Sequence, residues 1–535
     1  MKITFMGAAK TVTGSCYILE TENVRFAVDC GLHQGNAEIE KRNRGISDYR
    51  PGELDFILIT HAHIDHSGLL PAAVRAGFKG PIYMTQPTRD LLEIMLLDSA
   101  YIQEMETEWA NRKRLRKGLV PIKPIYEQED AINTTPLMRT VHYGATFEPA
   151  EGITVNFRDA GHILGSAFIE LWVKEAGETT KVVFSGDLGH KDQLLVRNPS
   201  IIEKADYLLM ESTYGDRNHK DSSNSLNELA EAINWSYTQG GKVVIPAFAV
   251  ERSQQLLYTL HLLSKDGRLP ADMPVYLDSP LAIKATEVFR SHPEFFDMDT
   301  AEMLHNGEDP LSLPNLKFTL DTQSSQAINN TDGPAIIISA SGMANAGRIK
   351  HHLRHNIWKK ESAVVFVGYQ GVGTPGRRLV NGADNITIFG EKLKVEARIF
   401  TINGFSGHAG QSEMIDWLKN FDSPGMKVIL THGEAKGQKV LSALIKQELG
   451  YKVHIADYRE ELILVPGGEM QPVVKEKVAA PQVDWEFLLK DSEKLFTEFR
   501  SRLGKVRSQP FISQTELRDK LLDINRQVVE LISEL

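Results

Sequence analysis

Cysteine is nearly missing from this chain: 535 residues hold two, Cys16 and Cys30. Two thiols supply neither a disulfide framework nor a cysteine-based zinc site, so a reducing interior is expected. No run of 18 apolar residues occurs, and no membrane span or membrane partner is expected. Met1 opens onto "KITFMGA", a short strand-like run, without the basic region and apolar core of a secretory leader; the cytoplasm is the expected compartment. Excess positive charge is missing too, since the net charge is −10. Global attraction to a polyanion is therefore not expected, although a local basic groove remains compatible with that sum. What is present is ordinary in bulk. The apolar fraction is 42% and the charged fraction 24%, as in globular proteins, and the length suggests about three or four structural units.

The first part of the chain alternates short apolar runs with Gly and Asp turns. "ITFMGAA", "SCYILET", "VRFAVDCG", "DFILIT" and "PIYMT" read as strands. From Thr88 the spacing of Leu92, Met95, Leu96, Ile102, Met105 and Trp109 predicts a long amphipathic helix. It ends in "NRKRLRKG", read as a solvated basic C-terminus favoured by the helix dipole, with an RNA-facing patch as the alternative. Strands return at "ITVNF", "FIELWV" and "KVVFSGD". Beyond "DYLLMEST", buried strands alternate with helices around Glu251–Leu263 and Leu281–Phe289, which predicts a parallel-sheet α/β unit. "EARIFTINGFSGHAG" and "MKVILTHGE" resume the earlier style. "EKVAAPQV" reads as a linker. In the tail, Trp485, Leu488, Leu489, Leu495, Phe496, Phe499 and Leu503 form a helical stripe, broken at Gly504 and Pro510. Ser513 with Glu516 gives a capping box, and Leu517, Leu521, Ile524, Val528, Leu531 and Leu535 a short a/d seam. The tail is expected to form a helical hairpin or a homodimerisation helix, packing against its own neighbour being the plainer reading.

Chemistry concentrates in "ILITHAHIDHSG". His61, His63, Asp65 and His66 fall within six positions after an apolar strand and before an expected helix. One histidine alone is usually a satisfied core or surface residue; this cluster is not of that kind. Imidazole and carboxylate without cysteine suit zinc, and manganese or iron less often. His61 and His63 can point one way from an extended segment, and Asp65 and His66 another as the chain turns. Such a split suggests two adjacent metals, which need further ligands. "DAGHILGS" offers His162, "VVFSGDLG" offers Asp187 and "VILTHGE" offers His432, giving a seven-ligand site.

These residues resemble the motifs of the metallo-β-lactamase superfamily. Asp29 in "VDCG" matches the first motif, His61-x-His63-x-Asp65-His66 the second, His162 the third and Asp187 the fourth. The resemblance implies an α/β fold, an αβ/βα sandwich with a dinuclear zinc site at its edge. It also implies that His61, His63 and His162 bind one metal, that Asp65, His66 and His432 bind the other, that Asp187 bridges, and that Asp29 supports without ligating. Two zinc ions per chain are implied, with manganese as the substitute. His432 stands 245 positions after Asp187, and an α/β unit of about 190 residues would fill most of that gap. The insertion resembles the β-CASP domain of nucleic-acid-processing nucleases: Glu211 in "LLMESTYG" matches motif A, His408 in "GFSGHAG" motif B and His432 motif C. Histidine at motif C marks the RNA-processing members of the family. "IPAFAVERSQQLL", "VYLDSPLA", "IIISASGM" and "FVGYQGVGTPGRRL" resemble segments of the pre-mRNA 3′-end endonuclease and its prokaryotic relatives. The likeness covers roughly Met1 to Val465. It implies a metallo-β-lactamase part over 1–205, a β-CASP part over 206–395, a return segment over 396–470 and a helical tail over 471–535. The sequence opens without the KH-type extension of some archaeal relatives, and the tail beyond about Pro481 matches no motif of the family.

The expected function is hydrolysis of phosphodiester bonds in single-stranded RNA by a two-metal mechanism, as endonuclease or also 5′-exonuclease. Asp187 would fix the metal pair, Asp65 orient the nucleophile and His408 act as general acid, kept oriented and protonated by Glu211. By resemblance Ser406 is a phosphate contact. Ser341, with Ser339 and Gly342 before a helix bearing Arg348, reads either as a phosphate cradle or as a plain strand–helix turn. Arg377 and Arg378 face either RNA or a structural partner. The rivals are a hydrolase of small esters or thioesters, disfavoured by the insertion and the Glu211/His408 pair, and a non-catalytic RNA-complex scaffold, disfavoured by the intact ligand set. DNA repair ranks third, disfavoured by His432.

Overall fold

The structure, a computed structural model, describes residues 1–218, 222–368, 370–371, 374–402, 404–466, 470–473 and 485–506, with isolated positions between 517 and 528. The chain divides into two compact units, Met1–Val473 and Val474–Leu535.

Three large sheets organise the first unit. The first sheet takes Lys2–Phe5, Tyr17–Glu20, Arg25–Val28, Phe56–Leu58, Ile82–Thr85 and Met138–Val141, and is extended by the late strands Glu461–Ile463 and Gln471–Pro472. The second takes Phe147–Ala150, Ile153–Asp159, Ala167–Glu175, Glu178–Phe184, Tyr207–Met210, Lys427–Leu430 and Lys452–Ile455. Side-chain alternation along single strands shows how they stack. In Tyr207–Met210, Tyr207 and Leu209 share a core with Phe5, Phe26 and Phe56 of the facing sheet. Leu208 and Met210 instead pack with Met414, Trp417, Leu441 and Ile445, which lie on the helices Gln411–Leu418 and Ala435–Leu449. In the first sheet, Phe56 and Leu58 face inward, while Ile57 and Ile59 meet Leu91, Leu92 and Met95 of the helix Gln86–Leu115. A strand period of two thus yields the helix–sheet–sheet–helix sandwich.

The third sheet is inserted between the strands Tyr207–Met210 and Lys427–Leu430. Its order is Leu316–Phe318, Val275–Leu277, Ala335–Ser339, Lys242–Pro246, Ala363–Phe366, Arg398–Thr401, and every neighbouring pair is parallel. "KVVIP", "AIIIS" and "AVVF" are buried throughout, as strands covered on both faces must be. These memberships move both limits of the inserted layer later than 206–395. Tyr207–Met210 still belongs to the second sheet, and Arg398–Thr401 completes the third. The two parts share one apolar cluster, which runs from Ile57 and Leu92 to Val243 and Leu277.

The long helix starts at Gln86, capped by the Thr85 hydroxyl, and runs 30 residues. Its expected apolar stripe is only half covered. Leu92, Met95 and Leu96 are buried in the cluster that also holds Ile57 and Ile59, but Ile102, Met105 and Trp109 are exposed. In the second unit the helix Trp485–Val506 continues through Gly504 rather than stopping there. The linker, the capping box, Pro510, Leu531 and Leu535 lie outside the described residues; Leu517, Leu521, Ile524 and Val528 of the final seam lie within them, with Ile524 and Val528 exposed.

Candidate metal centre

The ligand candidates gather because strand ends converge. His61 follows the strand Phe56–Leu58, Asp187 follows Glu178–Phe184, Glu211 follows Tyr207–Met210 and His432 follows Lys427–Leu430. All four leave the carboxyl ends of their strands, drawn from both sandwich sheets. His162 comes from the loop joining Ile153–Asp159 to Ala167–Glu175. Tight turns make the approach possible. Gly186, at φ 49°, sits so close to Thr60 that an added Cβ would lie 2.8 Å from that side chain, so only glycine brings Asp187 in at this point.

Two donor groups form. His61, His63, His162 and Asp187 place one ligand atom each within 4.8 Å of one another, and Asp65, His66 and His432 do likewise. Asp187 joins them. Its Oδ2 lies 3.4 Å from His61 Nε2 and 3.5 Å from His162 Nε2. Its Oδ1 lies 3.2 Å from His66 Nε2 and 3.4 Å from His432 Nδ1. One carboxylate oxygen therefore faces each group. A third group, Asp187, Glu211 and His408, adjoins them.

The donors fit cations. His61 Nε2 and His162 Nε2 approach His63 Nδ1 at 3.1 and 3.2 Å. Burial, with help from the His66 charge, lowers the pKa of His61 to about 3. Burial lowers His63 to about 4, and burial with the His408 charge holds His162 well below its ordinary value. Three neutral imidazoles thus turn lone pairs toward one point, an arrangement that a bound cation stabilises. Asp187 Oδ1 is buried without a hydrogen-bond donor. Burial opposes charge on Asp187, yet the histidines, His432 and His66 foremost, hold it well below the carboxylate range. Asp65 is also held low against burial, by His432 and His66.

Surrounding groups fix the ligands. His162 Nδ1–H donates to the Gly407 carbonyl at 2.9 Å, which frees Nε2 for a metal. His66 Nδ1 pairs with Asp29 Oδ2 at 2.8 Å. Asp29 also accepts from the Thr60 amide at 2.8 Å and from its hydroxyl. Asp29 therefore stands behind His66, away from the donor groups. The Thr213 hydroxyl meets His432 Nδ1 at 3.1 Å. Thr60, Thr213 and the Gly407 carbonyl went unread in the sequence. The threonines sit beside motif residues, which is a usable signal; a backbone carbonyl carries none.

His408 Nδ1 lies 3.1 Å from Glu211 Oε1 and 3.9 Å from Asp187 Oδ2. Burial works against its charge, but the Glu211 and Asp187 carboxylates prevail and raise its pKa to about 9. Glu211 Oε1 also accepts the Leu188 amide at 2.6 Å, which anchors the pair. Ser406 adjoins His408, whose amide donates to Ser406 Oγ at 3.4 Å. The remaining candidates sit in the inserted layer. The Ser341 hydroxyl donates to Asn345 Oδ1 at 2.6 Å, within its own loop. Arg348 is a structural clamp on Asp278 at 2.7 Å. Arg377 lies in the helix Pro375–Val380, and Arg378 donates to the Asn385 carbonyl at 3.3 Å.

Comparison with known proteins agrees with this architecture. Residues 18–212 match the metallo-beta-lactamase superfamily domain, residues 253–379 the Beta-Casp domain, and residues 392–456 the Zn-dependent metallo-hydrolase RNA specificity domain. Ribonuclease TTHA0252 of Thermus thermophilus is 36% identical over 86% of this chain and 99% of its own length. The transcription termination factor FttA of Thermococcus kodakarensis is 31% identical over 84% of this chain and 69% of its own. The FttA of Methanocaldococcus jannaschii is 29% identical over 81% and 67%. The chain belongs to the metallo-β-lactamase superfamily, in its β-CASP branch, and is a metal-dependent hydrolase.

Proposed function

We propose that this chain is a zinc-dependent ribonuclease that hydrolyses phosphodiester bonds of single-stranded RNA. The observation that carries the reading is the His408–Glu211 pair set beside Asp187, because cleavage of a phosphodiester needs a proton delivered to an alkoxide leaving group. The similarity to a protein named a ribonuclease supports RNA as the substrate. His61, His63 and His162 would hold one zinc ion and Asp65, His66 and His432 a second, with Asp187 between them. Bound there, the pair would supply Lewis acidity and a water nucleophile at neutral pH.

The chain's own residues do the rest. Asp65 orients the attacking water toward phosphorus. His408 Nδ1–H is directed at Glu211, which leaves Nε2–H to protonate the leaving oxygen. Ser406, next to His408, contacts the phosphate, while Ser341 and Arg377 act farther along the strand. Incubation of the full chain with 5′- and 3′-labelled single-stranded RNA, with and without a chelator, tests this. Internal fragments that vanish with chelator are expected, and mononucleotides released from the 5′ end would add exonuclease action. No cleavage with two zinc ions bound would overturn the reading.

A further inference from the structure

The loop between the strand Lys242–Pro246 and the helix Arg252–Lys265 turns out the wrong residue. Its acid, Glu251, is 3% exposed, whereas its aromatic, Phe248, is 47% exposed. Ala247 and Val250 beside them are buried. Apolar burial and carboxylate solvation both favour the reverse arrangement. Isolated exposed apolar residues are common and mean nothing by themselves; this one is held out by construction. Glu251 has φ 67°, a region that side-chain-bearing residues avoid and that concentrates at functional sites. Glu251 Oε2 accepts the Leu164 amide at 3.2 Å, which ties the loop to the segment carrying His162. The Phe248 carbonyl accepts from Ser253 Oγ at 2.7 Å, and the Ala247 amide donates to the Ser339 carbonyl at 3.0 Å.

The ring has a seat. A Cβ added to Gly342 would lie 2.9, 3.0 and 3.2 Å from three atoms of the Phe248 ring, so the ring rests on a stretch of backbone that only glycine leaves open. Gly342 is itself fixed, its carbonyl accepting from Gln370 Nε2 at 3.1 Å. Phe248 and Glu251 are three positions apart, so their Cα atoms are at most roughly 11 Å from each other, and the Glu251 carboxylate accepts from the backbone of Leu164, two positions beyond His162. Phe248 also stands at the carboxyl end of a parallel sheet, the edge at which open α/β sheets bind ligands.

We propose that Phe248 is a stacking platform for one base of a single-stranded RNA, close to the phosphate being cleaved. The proposal rests on the ribonuclease reading. A half-exposed aromatic ring seated against Gly342 offers a base a π-face that does not depend on the base's identity, so it would hold the strand in register without selecting sequence.

The test pairs protein variants with substrates in which a single abasic nucleotide is walked along the RNA. Phe248→Ala is expected to raise KM roughly 5- to 150-fold, the range of one lost base stack, with a smaller change in kcat. Phe248→Trp should restore it. One abasic position should raise the KM of the unaltered chain by a similar factor, and should have no further effect in Phe248→Ala. Unchanged KM in Phe248→Ala, or abasic effects that simply multiply with the substitution at every position, would overturn the platform while leaving the ribonuclease reading intact. If Phe248→Ala does not fold, the abasic walk on the unaltered chain still decides, since a flat profile overturns the proposal. An unaltered chain that cleaves no RNA removes both readings, and is recognised by its own absence of product.

Discussion

In the proposed mechanism His408 is the residue on which the chemistry turns, and it is separable from the candidate metal ligands. It lies 3.9 Å from Asp187 but 3.1 Å from Glu211, so its loss leaves both donor groups whole. His408→Ala should keep two zinc ions per chain by elemental analysis and lose about 10²- to 10⁴-fold in turnover, the usual worth of a positioned acid. Full turnover in that variant would refute the assignment. A general acid works in its protonated form, present below its pKa of about 9. The rate should therefore fall as pH rises through that region. Glu211→Gln removes the first carboxylate that opposes burial, so its alkaline limb should move to lower pH; an unmoved limb in the kcat profile would exclude the pair. The types of these residues could be read in the sequence because each sits in a short motif. Their pairing was expected from the family resemblance and not from any local spacing, since Glu211 and His408 are 197 positions apart; the Gly189–His408 bridge and the strand end at Met210 bring them together.

At the scale of elements, the inserted layer is pinned by one buried acid. Asp278 accepts from Arg348 Nη1 at 2.7 Å and from His352 Nε2, Ser325 Oγ and Thr319 Oγ1 at 2.6 Å each. Burial disfavours its charge, but His352, Ser325 and Thr319 overcome this and lower its pKa to about 2. The stability it contributes is complete above its ordinary pKa of 3.8 and is lost as pH falls toward about 2. Asp278→Ala should cost about 3–5 kcal/mol by removing the carboxylate partner of Arg348 and leaving the buried donors of His352, Ser325 and Thr319 without their acceptor, seen as a lower melting temperature whose loss over that acid range is reduced. The helix Gln86–Leu115 shows where periodicity stops informing. Its spacing marks a helix correctly, yet Leu92 and Trp109 have the same apolar character and opposite fates. Leu92→Ala should cost about 2–5 kcal/mol in denaturant unfolding, and Trp109→Glu less than about 0.5 kcal/mol. Equal costs would mean that the distal stripe is covered in solution.

At the scale of the molecule, every ligand candidate, His408, Glu211 and Phe248 lie within Met1–Val473. The tail supplies none of them, and its helix Trp485–Val506 leaves Leu489 and Phe496 exposed. A chain ending at Val473 should therefore keep its cleavage rate per site. Light scattering of the full and shortened chains tests the homodimerisation reading of the tail: a dimer that becomes a monomer on truncation supports it, a dimer that survives the truncation places the interface elsewhere, and a monomeric full chain leaves the tail packed against its own neighbour. The limits of the inserted layer were legible only coarsely. Tyr207–Met210 and Arg398–Thr401 are short strands whose composition does not say which sheet they join.

The sequence by itself determined the donor chemistry, the placement of His61, Asp187 and His432 just after apolar strands, and the parallel character of the inserted layer. Each of these follows from local spacing and residue type, which the chain carries along its length. The tertiary structure alone decided that Asp187 turns one oxygen to each donor group, that Asp29 stands behind His66, and that Phe248 is held out while Glu251 is buried. Those outcomes depend on directions and on which surfaces meet. Residues hundreds of positions apart fix them, through strand ends packed to one rim and loops tied across the two parts of the fold.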